Sequence, residues 1–176
     1  MHNLARFEPQ KGWADKAADL LQALTHKTLP EELEAILLPY WGSAVGIEAR
    51  DDINPLGKLF SVYKSFGILD EAVSRYGAFS FYPQLIRAQV DWDVPSFFNR
   101  RPQAQADLQA LMNWSETHHE KLPLPVRARV EFLWGMVQKQ DGRLDQALAA
   151  WKAAVADDPA QTGPGKDAEE QLQRYQ

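Results

Sequence analysis

The densest cluster of side chains that could bind a metal lies at residues 116–120, Glu-Thr-His-His-Glu. Because residues three and four apart share one face of a helix, Glu116, His119 and Glu120 would project to the same side. Two carboxylates and an imidazole can ligate a divalent transition metal. The pattern also suits a solvated helix end, where histidine is favoured by the helix dipole. We therefore predict no metal site and keep a metal-binding protein or metal-dependent enzyme as an alternative.

Other signatures of catalysis are missing from the sequence. Residues 163–166, Gly-Pro-Gly-Lys, lack the spacing of a phosphate-binding loop and are followed by Asp167. Neither a G-x-S-x-G nucleophile elbow nor an H-E-x-x-H zinc motif occurs. The chain contains no Cys, which excludes disulfides, Cys-ligated zinc and thiol catalysis. The sequence thus predicts no catalytic residue, no cofactor and no enzyme activity.

The charge pattern bears on partners and location. The net charge is −5 with no basic run, so nucleic-acid binding is not expected. No stretch of about 18 apolar residues occurs, so no membrane span is expected. The first residues do not combine a basic region with an apolar stretch, so no signal peptide is predicted. We expect a cytoplasmic protein, with a periplasmic or exported one as the alternative if a signal has been removed.

The elements that must position any site are helices. Apolar residues recur at spacings of three and four along most of the chain, whereas no alternating strand pattern is found. Thr28 and Glu31 predict a capping box at the start of one helix. Gly42 is expected to end that helix, residues 42–54 to form a connection, and Gly67 to separate two further helices. Residues 82–98 are expected to be short or irregular because they contain Pro83, Pro95 and an Asp-Trp-Asp segment. The predicted class is all-α.

Small residues and aromatics recur at fixed offsets near the C-terminus. The positions are Trp134, Gly135, Gly142, Leu144, Ala147, Trp151, Ala154 and Pro159. This spacing resembles a tetratricopeptide repeat (TPR) over residues 128–161. Gly135 and Ala147 would let two helices approach closely where they cross, and Pro159 would end the unit. Two positions depart from the family pattern, since Glu131 stands where Trp is usual and Gln138 where Tyr is usual.

A weaker copy of the repeat covers residues 53–86. It is carried by Tyr63, Gly67, Leu69, Ala72 and Tyr76. The resemblance implies antiparallel helical hairpins stacked as a short TPR-like superhelix. It also implies a single domain over residues 1–176, with a capping helix at about 166–175. An unrelated helical bundle is the alternative.

If the resemblance holds, the first helix of each hairpin lines a concave groove for a partner. The groove positions of the family fall on Asn54, Ser61, Lys64, Ser65, Arg129, Phe132, Met136 and Lys139. Their cations and apolar floor suit a peptide that is acidic or ends in a free carboxylate. The predicted function is therefore a protein–protein interaction scaffold, adaptor or assembly chaperone. A structural protein that associates with itself is the alternative besides the metal protein.

Overall fold

A computed structural model describes residues 12–118, 121–161 and 163–175. Every regular element in these ranges is a helix, so the predicted all-α class is confirmed. The chain forms two compact units, which we name the N-terminal unit (Met1–Val94) and the C-terminal unit (Pro95–Gln176). The single repeat domain over residues 1–176 stays a prediction. Within the described ranges, no helix is both long enough and apolar enough to cross a membrane.

Four α-helices form the N-terminal unit: α1 (Trp13–Thr25), α2 (Glu31–Asp51), α3 (Pro55–Tyr76) and α4 (Tyr82–Asp93). Their core is built on α2, with α1 and α3 packed against it. The buried members of this core are Ala17, Ala18, Ala35, Leu38, Ala44, Val45, Ile68, Ala72 and Tyr76. Many of these side chains are alanines, which lets the helix axes approach closely.

Glycines predicted to end helices in the N-terminal unit lie inside them. Helix α2 continues through Gly42 to Asp51, and α3 continues through Gly67 to Tyr76. A Cβ atom on Gly42 would lie 2.8 Å from Cγ of Leu69, so glycine is needed there for the close contact of α2 with α3. The predicted connection at 42–54 and the turn at Gly67 are wrong. The weaker repeat over residues 53–86 needs a turn at Gly67 between two helices. One continuous helix, Pro55–Tyr76, occupies most of that range instead.

Two other local predictions have different outcomes. The capping box at Thr28 is wrong, because Pro30 is the N-cap residue of α2 and no side chain caps it. Residues 82–98 are more regular than expected: α4 occupies Tyr82–Asp93, and a 3-10 turn, Ser96–Phe98, follows. Pro83 lies in the first turn of α4, where a proline removes no intrahelical hydrogen bond.

Five α-helices are described in the C-terminal unit: α5 (Arg101–Met112), α6 (Trp114–His118), α7 (Leu124–Gln140), α8 (Leu144–Asp157) and α9 (Pro164–Gln173). The helix pair predicted over 128–161 is present as α7 and α8, and the predicted C-terminal helix is present as α9. The turn between α7 and α8 contains Gly142 at φ 77°, a conformation that favours glycine. Trp151 of α8 is fully buried beside Gly135 of α7.

Candidate functional site

The groove residues predicted on α7 face the chain's own C-terminal segment. Phe132 and Met136 pack against a core cluster to which α9 contributes Ala168 and Leu172. Arg129 forms an ion pair of 3.3 Å with Asp167 of α9. The Lys139 ammonium lies 5.3 Å from the centre of the Tyr175 ring. This face of α7 is therefore already in contact with residues of the same chain.

The groove residues predicted on α3 have mixed environments. Asn54 is the N-cap residue, and its side chain accepts a hydrogen bond of 3.1 Å from the Leu56 amide. Ser65 is buried and donates a hydrogen bond of 2.7 Å to the Gly42 carbonyl. It cannot contact a partner, so its assignment to the groove is wrong. Ser61 is half-buried, whereas Lys64 is exposed, with its ammonium 5.7 Å from the Trp41 ring.

The polar cluster at 116–120 is only partly within the described residues, since His119 and Glu120 lie outside them. The His118 ring stacks on Trp114 with 3.5 Å between ring centres. Its Nδ1 atom lies 2.7 Å from the Thr117 hydroxyl. Among the described residues, no group of three or more His, Asp or Glu side chains is arranged to hold a metal ion.

The glycine-rich segment at 163–166 begins α9 around a carboxylate of the chain itself. Asp158 accepts hydrogen bonds from the amides of Gly163, at 3.1 Å, and Gly165, at 3.0 Å. A helix N-terminus favours an anion because its amides have no intrahelical acceptor. The Asp158 carboxylate fills this role.

An exposed apolar stripe begins just before α3 and continues along the first turns of that helix. We define the apolar stripe as Ile53, Leu56, Leu59, Phe60 and Tyr63, with exposed fractions of 95, 78, 42, 71 and 61%. The spacing of these apolar positions along α3 is typical of a helix face that packs into a core, whereas the structure leaves them exposed. Every buried residue of α3 lies at or beyond Ser65, so the first ten residues of the helix contribute nothing to the core. Gly67 continues the same face, and a Cβ atom there would meet nothing within 4 Å.

A second feature is a pair of acidic residues in the C-terminal unit, Glu131 of α7 and Asp157 of α8, which we name the acidic pair. Arg127 forms a bidentate ion pair with Asp157 through its Nε and Nη2 atoms. Glu131 lies one turn after Arg127 on α7, and its carboxyl is close enough to Asp157 to be affected by the charge of that residue. The buried Oε2 atom of Glu131 meets no donor among the described residues. Since two ionised carboxylates close together repel each other, this arrangement favours a proton on one of them.

The surroundings determine which carboxyl carries the proton. Burial, followed by the charge of Asp157, raises the pKa of Glu131 to about 7. Hydrogen bonding to Arg127 lowers the pKa of Asp157 below 3.8. Glu131 is therefore the carboxyl that keeps its proton below about pH 7, whereas Asp157 is ionised. In the sequence, the signal that position 131 is unusual is its departure from the repeat pattern, which has Trp where this chain has Glu131.

The acidic pair lies beside a cavity of about 160 Å³. Both α5 and α7 line it, together with the segment that precedes α7. The lining residues are Leu111, Met112, Lys121, Leu122, Arg127, Val130 and Glu131. All of them belong to the C-terminal unit. The cavity has apolar walls and a charged edge, and none of its residues was predicted as a site.

The acidic pair makes the stability of the C-terminal unit depend on pH. The folded state keeps the Glu131 proton up to about pH 7, whereas the unfolded chain loses it at the ordinary carboxyl value of 4.5. The stabilisation is complete below pH 4.5 and is lost as the pH rises through 7. We expect the free energy of unfolding to be larger at pH 5 than at pH 8 by about 1–2 kcal/mol, less than the full pKa difference implies because the carboxyl is partly solvated.

Denaturant unfolding at pH 5 and pH 8 measures this difference. Glu131→Gln should remove most of it, because the amide side chain does not titrate between pH 5 and pH 8. Glu170→Gln, at an exposed position of α9, is the matched control and should keep the parent's pH dependence. An unchanged difference in Glu131→Gln would contradict the assignment of the proton.

The structure thus offers two candidate sites, an apolar stripe on α3 and a charged-edge cavity beside α7. None of the predicted groove residues belongs to the stripe or lines the cavity, although Ser61, Lys64 and Ser65 lie on the same helix as the stripe. Comparison with known proteins adds no independent assignment: no family model matches the chain, and no curated protein and no solved structure is detectably similar to it.

Proposed function

We propose that the protein is a TPR-like interaction scaffold that binds a helix of a different protein on the apolar stripe of α3. The observation that carries this proposal is the exposure of the stripe over three consecutive helical turns. Leu56, Phe60 and Tyr63 follow the spacing i, i+4, i+7, which places them on one face. A face with this spacing matches the anchor positions of a partner helix.

The size of the stripe supports a binding role. A Phe or Tyr side chain carries about 150–250 Å² of surface. At the exposed fractions given above, the stripe presents on the order of 500–700 Å² of apolar surface, comparable to the largest patch on a typical monomer. Leaving this area in water is unfavourable, and a contiguous patch of this size usually marks an interaction surface.

The occupant proposed is a heterologous helix with an acidic edge. A stable pair of identical subunits buries about 800 Å² on each subunit, more than the stripe provides. One partner helix of three to four turns can cover the stripe without additional area. Lys64 lies beside Phe60 on α3, is exposed, and is positioned to meet an acidic side chain of that helix.

Removing the stripe's largest exposed anchors should abolish partner binding. The variant Leu56→Ser/Phe60→Ser leaves the core unchanged, since both side chains are mainly exposed. We expect the affinity for the partner to fall by at least about ten-fold, because buried aromatic and aliphatic anchors dominate such interfaces. The far-UV circular dichroism spectrum should not change. Leu20→Ser, at an isolated exposed position of α1, is the matched control and should bind as the parent does.

The absence of Cys allows the partner to be identified at the stripe itself. Tyr63→Cys, labelled with a photo-reactive maleimide, should cross-link to one other protein in the native extract, whereas labelled Leu20→Cys should not. The same protein must bind the purified parent and be lost from Leu56→Ser/Phe60→Ser. A cross-linked product containing two copies of this chain would replace the scaffold with self-association. Undiminished binding of the cross-linked protein to the serine variant would refute the stripe as the site.

A further inference from the structure

The cavity beside α7 has apolar walls and carries charged side chains along one edge. Leu111, Leu122 and Val130 are buried and form apolar parts of the wall. A cavity of about 160 Å³ has room for roughly one six-membered ring, since an engineered apolar cavity of about 150 Å³ takes up benzene. A ligand of this size would have a mainly hydrophobic body.

The charged edge of the cavity has a positive balance. Arg127 and Lys121 each contribute one positive charge, and Lys121 is exposed. Arg127 uses Nε and Nη2 for Asp157, which leaves the Nη1 side of the guanidinium for another acceptor. Asp157 contributes one negative charge, and Glu131 is neutral below about pH 7. These four described groups therefore carry a combined charge of +1.

We propose that this cavity binds a small monocarboxylate whose apolar body is about the size of one ring. The apolar part would contact Leu111, Leu122 and Val130, and the carboxylate would accept hydrogen bonds from Lys121 and Arg127. Charge-assisted bonds of this kind are stronger than those between neutral groups. An amine is disfavoured by the two cations, and an inorganic dianion would find too few donors and mostly apolar walls.

The neutral form of Glu131 is part of this site. The charged groups that act on Glu131 are Asp157 on α8 and Arg127 on α7. Lys121, on the segment before α7, lines the same cavity, and the described lining residues from α5 are the uncharged Leu111 and Met112. Loss of the Glu131 proton would add a negative charge at the cavity edge and repel a carboxylate. Binding should therefore weaken as the pH rises through 7.

Benzoate is the probe for this site, and benzyl alcohol is its neutral counterpart of similar size. In amide-detected NMR titrations of the full chain at pH 6, benzoate should shift the signals of Leu122 and Val130 and bind more tightly than benzyl alcohol. Lys121→Met should weaken benzoate binding by at least about ten-fold and leave benzyl alcohol binding unchanged. Lys152→Met, which removes an exposed amine of α8 that does not line the cavity, is the matched control.

The pH dependence gives a second readout. Benzoate binding to the parent should weaken between pH 6 and pH 8, whereas Glu131→Gln should bind equally at both values. Equal affinity for benzoate and benzyl alcohol, or unchanged benzoate binding in Lys121→Met, would overturn the proposal. Signal shifts that remain scattered over the surface and avoid Leu122 and Val130 would overturn it as well.

Discussion

Replacing Gly135 with leucine is expected to destabilise the C-terminal unit by about 1–3 kcal/mol or more. A Cβ atom on Gly135 would lie 2.4 Å from Nε1 and 2.5 Å from Cδ1 of Trp151. The indole cannot move aside easily, because Trp151 is fully buried and its Nε1 donates to the Phe132 carbonyl at 3.3 Å. Any side chain at position 135 therefore forces α7 and α8 apart. Denaturant unfolding followed by circular dichroism measures the loss.

A second glycine separates this packing effect from the general effect of glycine in a helix. Gly67 lies inside α3 with open space around its Cβ position. Gly67→Ala should stabilise the protein by about 0.5–1 kcal/mol, because alanine has the higher helix propensity and no contact is disturbed. Gly135→Ala should have the opposite sign. A neutral Gly135→Leu variant would show that α7 and α8 do not cross at this glycine, and destabilisation by Gly67→Ala would show that α3 is broken there.

These two glycines show why the helix type could be predicted from the sequence and the helix ends could not. The spacing of three and four residues is a local property, so it predicts helices correctly at α1, α5, α7, α8 and α9. Whether a glycine ends a helix depends on what lies beside it. Gly42 is required by contact with Leu69, which is 27 residues away in sequence, and only the tertiary structure shows that contact.

The candidate sites show the same difference between what local spacing predicts and what the tertiary structure determines. Offsets taken from the repeat family place Ser65 in a groove, but the actual crossing of α2 and α3 buries it. The apolar stripe has the spacing of a core face, and it is exposed because no described element covers the first turns of α3. Sequence can identify an amphipathic face, whereas the presence or absence of a covering element is a property of the whole fold.

Part of the acidic pair was closer to being predictable from the sequence. Glu131 occupies a position where the repeat pattern has a large aromatic residue, so a buried polar group or a cavity could be anticipated there. Its partner Asp157 is 26 residues further along the chain, and only the hairpin of α7 and α8 brings the two together. The cavity also needs α5, which no offset within the repeat specifies.

Truncation of Trp151 to alanine should have the largest effect on stability, a loss of about 3–5 kcal/mol. Trp151 is fully buried in the core cluster of the C-terminal unit, where it contacts α7 and the C-terminal segment. Its indole lies against Gly135, its Nε1 binds the Phe132 carbonyl, and Tyr175 stacks at 6.1 Å between ring centres. The variant would therefore leave a cavity and also remove part of the surface on which α9 packs.

The consequence for α9 distinguishes this role from a general loss of core volume. In Trp151→Ala, amide hydrogen exchange in α9 should accelerate more than exchange in α5, because Ala168 and Leu172 share a cluster with Trp151. Leu108→Ala is the matched control: it truncates a fully buried residue of α5 and should affect α5 first. If both variants accelerated exchange equally in the two helices, the unit would open only as a whole. Selective loss of α9 would instead show that Trp151 fixes the helix that covers the predicted groove face of α7.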